Sequence, residues 1–308
     1  MSDSMQFSNV DNQEIDDLNE KSRRDYREKW ARHRTFTEEV QSIVTKNLIE
    51  TGVDVAVVEG RTKSVESFFG KISRDDKTYS KPLEEVTDLS GCRVITYYND
   101  DIDTVEEIIR NNFIVDERNS ERKDNPANPK EFGYLSRHLI VSMNEDRLKL
   151  GEFKSFKTHK AEIQIRSVLQ HAWAAIEHKL QYKNKHDIPE PIQRRLFQIS
   201  AILEMADDQF KYVRRKVGTL RDEYKNEIKA GETTVPVNVD SVDVFLETST
   251  VFAELRSHLD DVGVNVSPRP KNSKNPLSKL NQTLFLAKIK DVAAFEMLVN
   301  RRTSSDWL

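Results

Sequence analysis

Residues 161–183 read AEIQIRSVLQHAWAAIEHKLQYK, and this stretch decides the fold. Over its first six residues apolar and polar side chains alternate. Successive side chains of a strand take opposite faces, so Ile163 and Ile165 point one way and Glu162, Gln164 and Arg166 the other. From Val168 to about Tyr182 the period becomes helical. A strand with one apolar face that feeds a helix is a unit of a sheet covered by helices. Its polar face aligns a carboxylate, an amide and a guanidinium. That set suits a metal and phosphate site, although an ordinary solvent-facing strand can also carry it.

Working upstream, Cys92 to Tyr98 (CRVITYY) is β-branched and aromatic and reads as a central strand. Val53 to Val58, Phe113 to Val115 and Leu135 to Val141 read as further strands. Between them the pattern predicts helices. Tyr26, Trp30, Phe36, Val40, Val44 and Leu48 recur at helical spacing from Ser22 onward, and Gly52 ends that run. Residues 1–20 are polar and predict a frayed end. A short helix through Lys71 has Thr62 or Ser64 as its N-cap, and Asp100 or Asp101 caps a helix from Ile102 to Arg110. Residues 119–131, charged and with two prolines, predict a loop. The expected class is α/β (α+β), a mixed sheet flanked by helices.

Downstream, Pro189 and Pro191 mark a break. Ile192, Leu196, Ile199, Leu203, Ala206, Phe210, Val213, Val217, Leu220 and Tyr224 then step by fours and threes, the seam of one long helix that Gly231 ends. The stripe either packs on the α/β domain or joins two copies of the chain. Residues 240–262 and 277–299 predict helices, with a loop rich in Pro, Asn and Lys over 263–276. The expected organisation is an N-terminal segment and helix over 1–51, a mixed α/β domain over 52–189, the long helix over 190–231, and a helical extension over 232–308. Nothing in that extension carries recognisable chemistry, so a regulatory or oligomeric contact is its expected use.

Composition narrows the class. Of 308 residues, 37% are hydrophobic and 32% charged, as in a water-soluble, helix-rich protein. No apolar run is long enough to span a bilayer, and the polar, acidic start is unlike a signal peptide. Cys92 is the single cysteine, which excludes an internal disulfide. These points predict a cytoplasmic protein without a membrane partner. A net charge of -4 gives no global attraction to nucleic acid. A basic cluster of Arg194, Arg195, Arg214, Arg215, Lys216 and Arg221 on the long helix leaves a local one open, although it also reads as a solvated face.

Three further segments can carry chemistry. Tyr134, Ser136 and His138 share one face of a strand, and Gly133 before them lets the backbone approach a ligand. Tyr can stack on a base, and Ser and His can bind hydroxyl or phosphate oxygens. Arg137 falls on the otherwise apolar face, where the sequence gives it no purpose. Asp88 stands at the mouth of the central strand. With Glu162 it would give magnesium the one or two carboxylates that ion usually takes. Arg61 and Lys63 precede a short helix on which Ser67 and Lys71 share a face, an arrangement that can clamp a triphosphate. Neither GxxxxGK[ST] nor GxGxxG occurs. His171 and His178 share a helix face, but Trp173 and Ile176 beside them favour packing over a metal site. His186-Asp187 stands alone before Pro189 and lacks the further ligands a hydrolase metal site needs.

Together the segments GRTKSVESFFGK (60–71), VTDLSGCRVITYYNDDI (86–102), PKEFGYLSRH (129–138) and residues 161–183 resemble the synthetase domain of RelA/SpoT-type alarmone synthetases. The resemblance implies a nucleotidyltransferase-like fold in a synthetase-only member with no hydrolase domain. It implies magnesium-dependent transfer of the β,γ-pyrophosphate of ATP to the ribose 3′-hydroxyl of GDP or GTP, with AMP leaving. Carried over, Arg61 would contact the adenine side of ATP, and Lys63, Ser67 and Lys71 its phosphates, with Arg93 assisting. Asp88 and Glu162 would hold Mg2+, and Glu162 would help activate the attacking hydroxyl. Tyr134 would stack on guanine, and Lys130 and His138 would bind phosphates, with Gln164 and Arg166 lining the acceptor side. Phe132 stands where the family usually has the Asn that reads the guanine edge, and the Asp-Tyr-Ile usual before it is missing from Arg122–Asn125. The acceptor therefore stays open, with the 3′ end of tRNA as an alternative. A non-catalytic nucleotide sensor is the second alternative.

Overall fold

The computed structural model describes residues 3–74, 77–122, 136–180, 189–231, 234–261 and 276–303. They form two compact units, Met1–Lys211 and Tyr212–Leu308. The first helix, α1, spans Asp3–Thr51. It starts well before Ser22 because no glycine or proline interrupts its 49 residues, and the polar residues at its start are tolerated in a helix. Gly52, at φ 71°, ends it in the left-handed conformation that glycine adopts without penalty.

The sheet elements follow in order: β1 (Val55–Thr62), helices α2 (Val65–Ile72) and α3 (Pro82–Glu85), β2 (Ser90–Thr96), α4 (Asp101–Asn112), β3 (Phe113–Val115), β4 (Glu121–Arg122), β5 (Arg137–Met143), the short helix α5 (Glu145–Leu148), a 3-10 turn at Lys154–Phe156, β6 (Ala161–Ser167) and α6 (Val168–Leu180). Ser64 is the N-cap of α2 and accepts from the Ser67 amide, whereas Asp100 sits at the N-cap of α4 without a side-chain cap bond. The predicted 119–131 loop contains β4, which pairs with β5; its remainder from 123 lies outside the described residues.

The strand order is β1-β2-β6-β5-β3, with β4 beside β5. Only β2 and β6 run parallel; the other pairs are antiparallel. One face is apolar. Cys92, Val94, Leu139, Val141, Ile163 and Ile165 pack there against Phe36, Val40, Val44 and Leu48 of α1 and Val105 and Ile109 of α4. Arg137 on this side has a reason the sequence hid. Its guanidinium pairs with Glu106 at 2.7 Å and Asp103 at 2.6 Å of α4, and Glu106, 2% exposed, also accepts from Arg110 Nε at 2.7 Å.

Beyond residue 188 comes α7 (Glu190–Lys229), a single helix whose end Gly231 marks with φ 76°. In the first unit its apolar stripe does not bury itself as one of the two readings expected. Ile192, Ile199 and Phe210 stay exposed, and the contact runs instead through Asp207, which is buried and accepts from Ser167 Oγ at 2.6 Å. The second unit contains α8 (Val239–Thr248), α9 (Thr250–Asp261), α10 (Pro276–Leu286) and α11 (Val292–Thr303), packed around Tyr224, Val242, Phe245, Leu284 and Phe295. The helices predicted over 240–262 and 277–299 are each two. Ser249 turns to an extended conformation between α8 and α9, and Lys288 takes φ 59° between α10 and α11. The predicted 263–276 loop lies almost wholly outside the described residues. No helix among the described residues is long and apolar enough to cross a membrane.

Candidate active site

The register of the sheet builds a polar surface on the face away from α1. Paired residues on adjacent strands project to the same side. Glu59 therefore lies beside Arg93, Arg93 beside Gln164, and Gln164 beside His138, one row across β1, β2, β6 and β5. The next row is Arg61, Gly91 and Glu162. A side chain at position 91 would meet the Arg61 carbonyl oxygen at 3.3 Å, so glycine keeps the floor between Arg61 and Glu162 open. A pit of about 90 Å³ forms here, lined by Arg61, Lys63, Asp88, Arg93, Glu162 and Gln164. It shares Arg61, Arg93 and Gln164 with a wider trough of about 540 Å³ that runs under α6 past Arg166 and His171 to His178.

Asp88 is gripped at one edge. Lys63 Nζ lies 2.8 Å from one carboxylate oxygen and Lys71 Nζ 3.0 Å from the other. Burial alone would raise its pKa, but the two ammonium groups outweigh burial and hold it below the usual carboxylate value. Lys63 is itself anchored. Its carbonyl accepts from Tyr26 Oη at 2.8 Å and from Trp30 Nε1 at 3.0 Å, and its amide donates to the Leu89 carbonyl at 2.9 Å.

Glu162 sits in a second hydrogen-bonded set. His138 Nδ1 is 2.9 Å from Glu162 Oε1, and Gln164 Nε2 donates to Oε2 at 2.8 Å. Ser136 Oγ lies 3.0 Å from His138 Nε2, and an Arg166 guanidinium nitrogen 3.2 Å from the same atom. Burial raises the Glu162 pKa, and the His138 and Gln164 contacts together more than reverse it, leaving the carboxylate below its ordinary value. Burial and then Arg93 lower the pKa of Arg166.

Of the residues expected at the site, Asp88, Glu162, Arg93, His138, Arg61, Lys63, Lys71, Gln164 and Arg166 converge on this surface. Ser67 is exposed in the first turn of α2, where its Oγ accepts from Ser64 Oγ at 3.0 Å. Lys130, Tyr134 and Phe132 lie outside the described residues, as does His186-Asp187. Sequence reasoning missed Glu59, which strand alternation with Arg61 would have placed on this face. It also missed that α6 presents His171, Glu177 and His178 to the trough while burying Trp173. Burial, followed by Arg93 and Arg166, lowers the His171 pKa. Arg221 drops out of the expected basic cluster, because its guanidinium pairs with Asp240 and Asp243 at 2.9 Å each.

Residues 60–187 match the family model described as a region found in RelA/SpoT proteins. The chain is 33% identical over 184 residues to the GTP pyrophosphokinase YjbM of Bacillus subtilis, covering 58% of this chain and 81% of that one. The chain belongs to the RelA/SpoT family. A second Bacillus subtilis relative, the GTP pyrophosphokinase YwaC, is 31% identical over 173 residues, 56% of this chain and 79% of its own. The crystal structure of small alarmone synthetase 1 from Bacillus subtilis superposes with a TM-score of 0.51 at 29% identity, over 62% of this chain and 98% of that one. Small alarmone synthetase 2 of the same organism gives 0.51 at 24% identity, over 62% and 99%, a likeness of fold. The fold is that of the small alarmone synthetases.

Proposed function

We propose that the chain transfers the β,γ-pyrophosphate of ATP to the ribose 3′-hydroxyl of GDP or GTP. The observation that carries this reading is the pairing of Asp88, between Lys63 and Lys71, with Glu162, on His138, in one cleft of a family whose curated relatives are GTP pyrophosphokinases. The ribose oxygen attacks the β-phosphorus, the bond from that phosphorus to the α-phosphate oxygen breaks, and AMP leaves. Such a transfer needs positioning and charge neutralisation more than covalent help. Lys63 and Lys71 exchange Asp88 for triphosphate oxygens, and Arg61 and Arg93 meet the nucleotide across Gly91. Glu162 accepts the hydroxyl proton, with His138 holding one of its oxygens and sharing the charge.

The donor set fits magnesium. Asp88 and Glu162 are hard oxygen ligands in one cleft, and no group of three or more His, Cys, Asp or Glu among the described residues forms a dedicated cage. Two carboxylates completed by phosphate oxygens and water are what this ion commonly takes. Bound there, it would neutralise charge on the transferring phosphates.

The test is incubation of purified protein with labelled ATP, magnesium and either GDP, GTP or deacylated tRNA. Label on the guanine nucleotide with AMP release supports the reading. Label on tRNA alone would replace the acceptor, and no transfer to any of the three would leave a nucleotide sensor.

A further inference from the structure

A second cleft, of about 740 Å³, opens between α1, α3 and the residues leading into β6. It is distinct from the catalytic pit, with which it shares no lining residue. Its depth holds two imidazoles, His33 and His159, each 9% exposed, with ring centroids 4.7 Å apart. The Nδ1 atom of each is buried without a hydrogen-bond partner among the described residues. Nε2 of each is therefore the ring nitrogen that reaches the cleft, and it makes no hydrogen bond among the described residues, so two imidazole edges are open to a ligand there.

The charges around them select the sign of that ligand. Lys29 and Arg32, three apart on α1, are exposed at the rim, and neither has an ion-pair partner among the described residues. The one carboxylate in the lining, Glu84, is paired with Lys81 at 3.5 Å, and Lys160 is held by Asp116 at 2.7 Å. Two imidazoles alone would suit a transition metal, but two unpaired cations beside them oppose one. Leu83, Val86 and Leu89 give the cleft an apolar wall. Its volume is in the range of sites that enclose a small organic molecule.

We propose that this cleft binds a phosphate-bearing anion, held by Lys29 and Arg32 at the rim and by the imidazole N–H groups of His33 and His159 below. Burial, then His159, Lys29 and Arg32, hold the His33 pKa down at about 4, and burial, Arg32 and Lys29 lower that of His159. An anion among these groups reverses the electrostatic part of both shifts. Binding therefore takes up protons and tightens as pH falls through the raised values of the bound imidazoles.

The experiment labels the seven histidines of the full chain with 15N and titrates with inorganic pyrophosphate and, separately, GDP. The expected result is a saturable change at His33 and His159 and a rise of about one pH unit in their titration midpoints. Lys29→Glu/Arg32→Glu, two exposed positions that spare the core, should weaken that response at least about tenfold. Saturation by pyrophosphate assigns recognition to the phosphates alone; saturation by GDP only gives the base a share, and both support the site. Changes confined to His138, His171 and His178 in the catalytic cleft, or a double variant that responds like the parent, would overturn it.

Discussion

Asp88 and Glu162 reach the same charge state by different routes, one through two lysines and the other through a histidine and an amide. Each pKa is held below its ordinary value. A carboxylate more acidic in the folded than in the unfolded chain stabilises the fold above its unfolded value, and that stability is lost as pH falls through the folded value. His33 and His159 act at a higher pH. Their pKa values are lowered on folding, to about 4 for His33. The unfolded chain therefore takes up protons first, and stability declines from about pH 6.5 downward. We expect the urea midpoint to drop between pH 6.5 and 4 and more steeply below 4; a midpoint flat from 6.5 to 5 would contradict the histidine assignment. At the same scale, Glu162→Ala should lower kcat by about a thousandfold or more with little change in thermal midpoint, because the proposed mechanism gives this one residue both proton acceptance and a metal oxygen. Retained turnover in that variant would remove Glu162 from the site. Glu162 was legible in the sequence because strand alternation sets it on one face with Gln164 and Arg166, and Asp88 stood out at the mouth of the central strand; His33 and His159 were not legible. Nor were Tyr26 and Trp30. Their spacing reads as the core stripe of a helix, and only the fold shows their polar tips on the Lys63 carbonyl.

At the scale of the element, β6 and β2 were the most readable parts, because alternation and β-branched content are local signals. The placement of Arg137 was not, since its partners, Glu106 and Asp103, lie more than thirty residues earlier on a helix that meets β5 only after folding. Breaking a buried pair strands the remaining charge. Arg137→Ala takes a cation away from Glu106, 2% exposed, and should cost about 3 kcal/mol in chemical denaturation. Arg137→Ala/Glu106→Gln should recover a large part of that loss, a coupling that two independent surface effects would not show. The same reasoning explains the break at Ser249 and the turn at Lys288. Each separates two amphipathic helices whose apolar faces read as one in sequence, because periodicity reports which residues are apolar and not where the axis bends. The stripe of α7 was legible as a helix and misleading as a contact. Its anchor to the end of β6 is the polar pair Ser167–Asp207, which no hydrophobic pattern announces.

At the scale of the whole molecule, the described catalytic-cleft residues all fall within Met1–Lys211, while Tyr212–Leu308 has an apolar core of its own. Chemistry and the second core are therefore separable in principle. The boundary crosses α7, whose residues from Tyr212 onward belong to the second unit and whose Tyr224 is part of that unit's core. Cutting at the unit boundary would sever this helix, whereas a stop after Gly231 preserves it to its own end. We expect the chain ending at 231 to remain folded at the sheet and to transfer pyrophosphate with a kcat within about threefold of the full chain, since no described cleft residue is lost. Removing Val235, Val242, Phe245 and Phe295 exposes apolar residues of α7 that they cover, among them Tyr224. The cost should therefore be solubility, read as a lower concentration at which light scattering rises. Salt dependence then separates the acceptors. A nucleotide held by Lys63, Lys71 and three arginines should lose affinity modestly between 50 and 200 mM salt. An RNA acceptor should lose it steeply, in proportion to the phosphates it contacts. A full chain whose KM for GDP rises only modestly with salt, and which keeps its turnover when Arg194 and Arg195 are replaced, places acceptor recognition in the cleft and not along the helix.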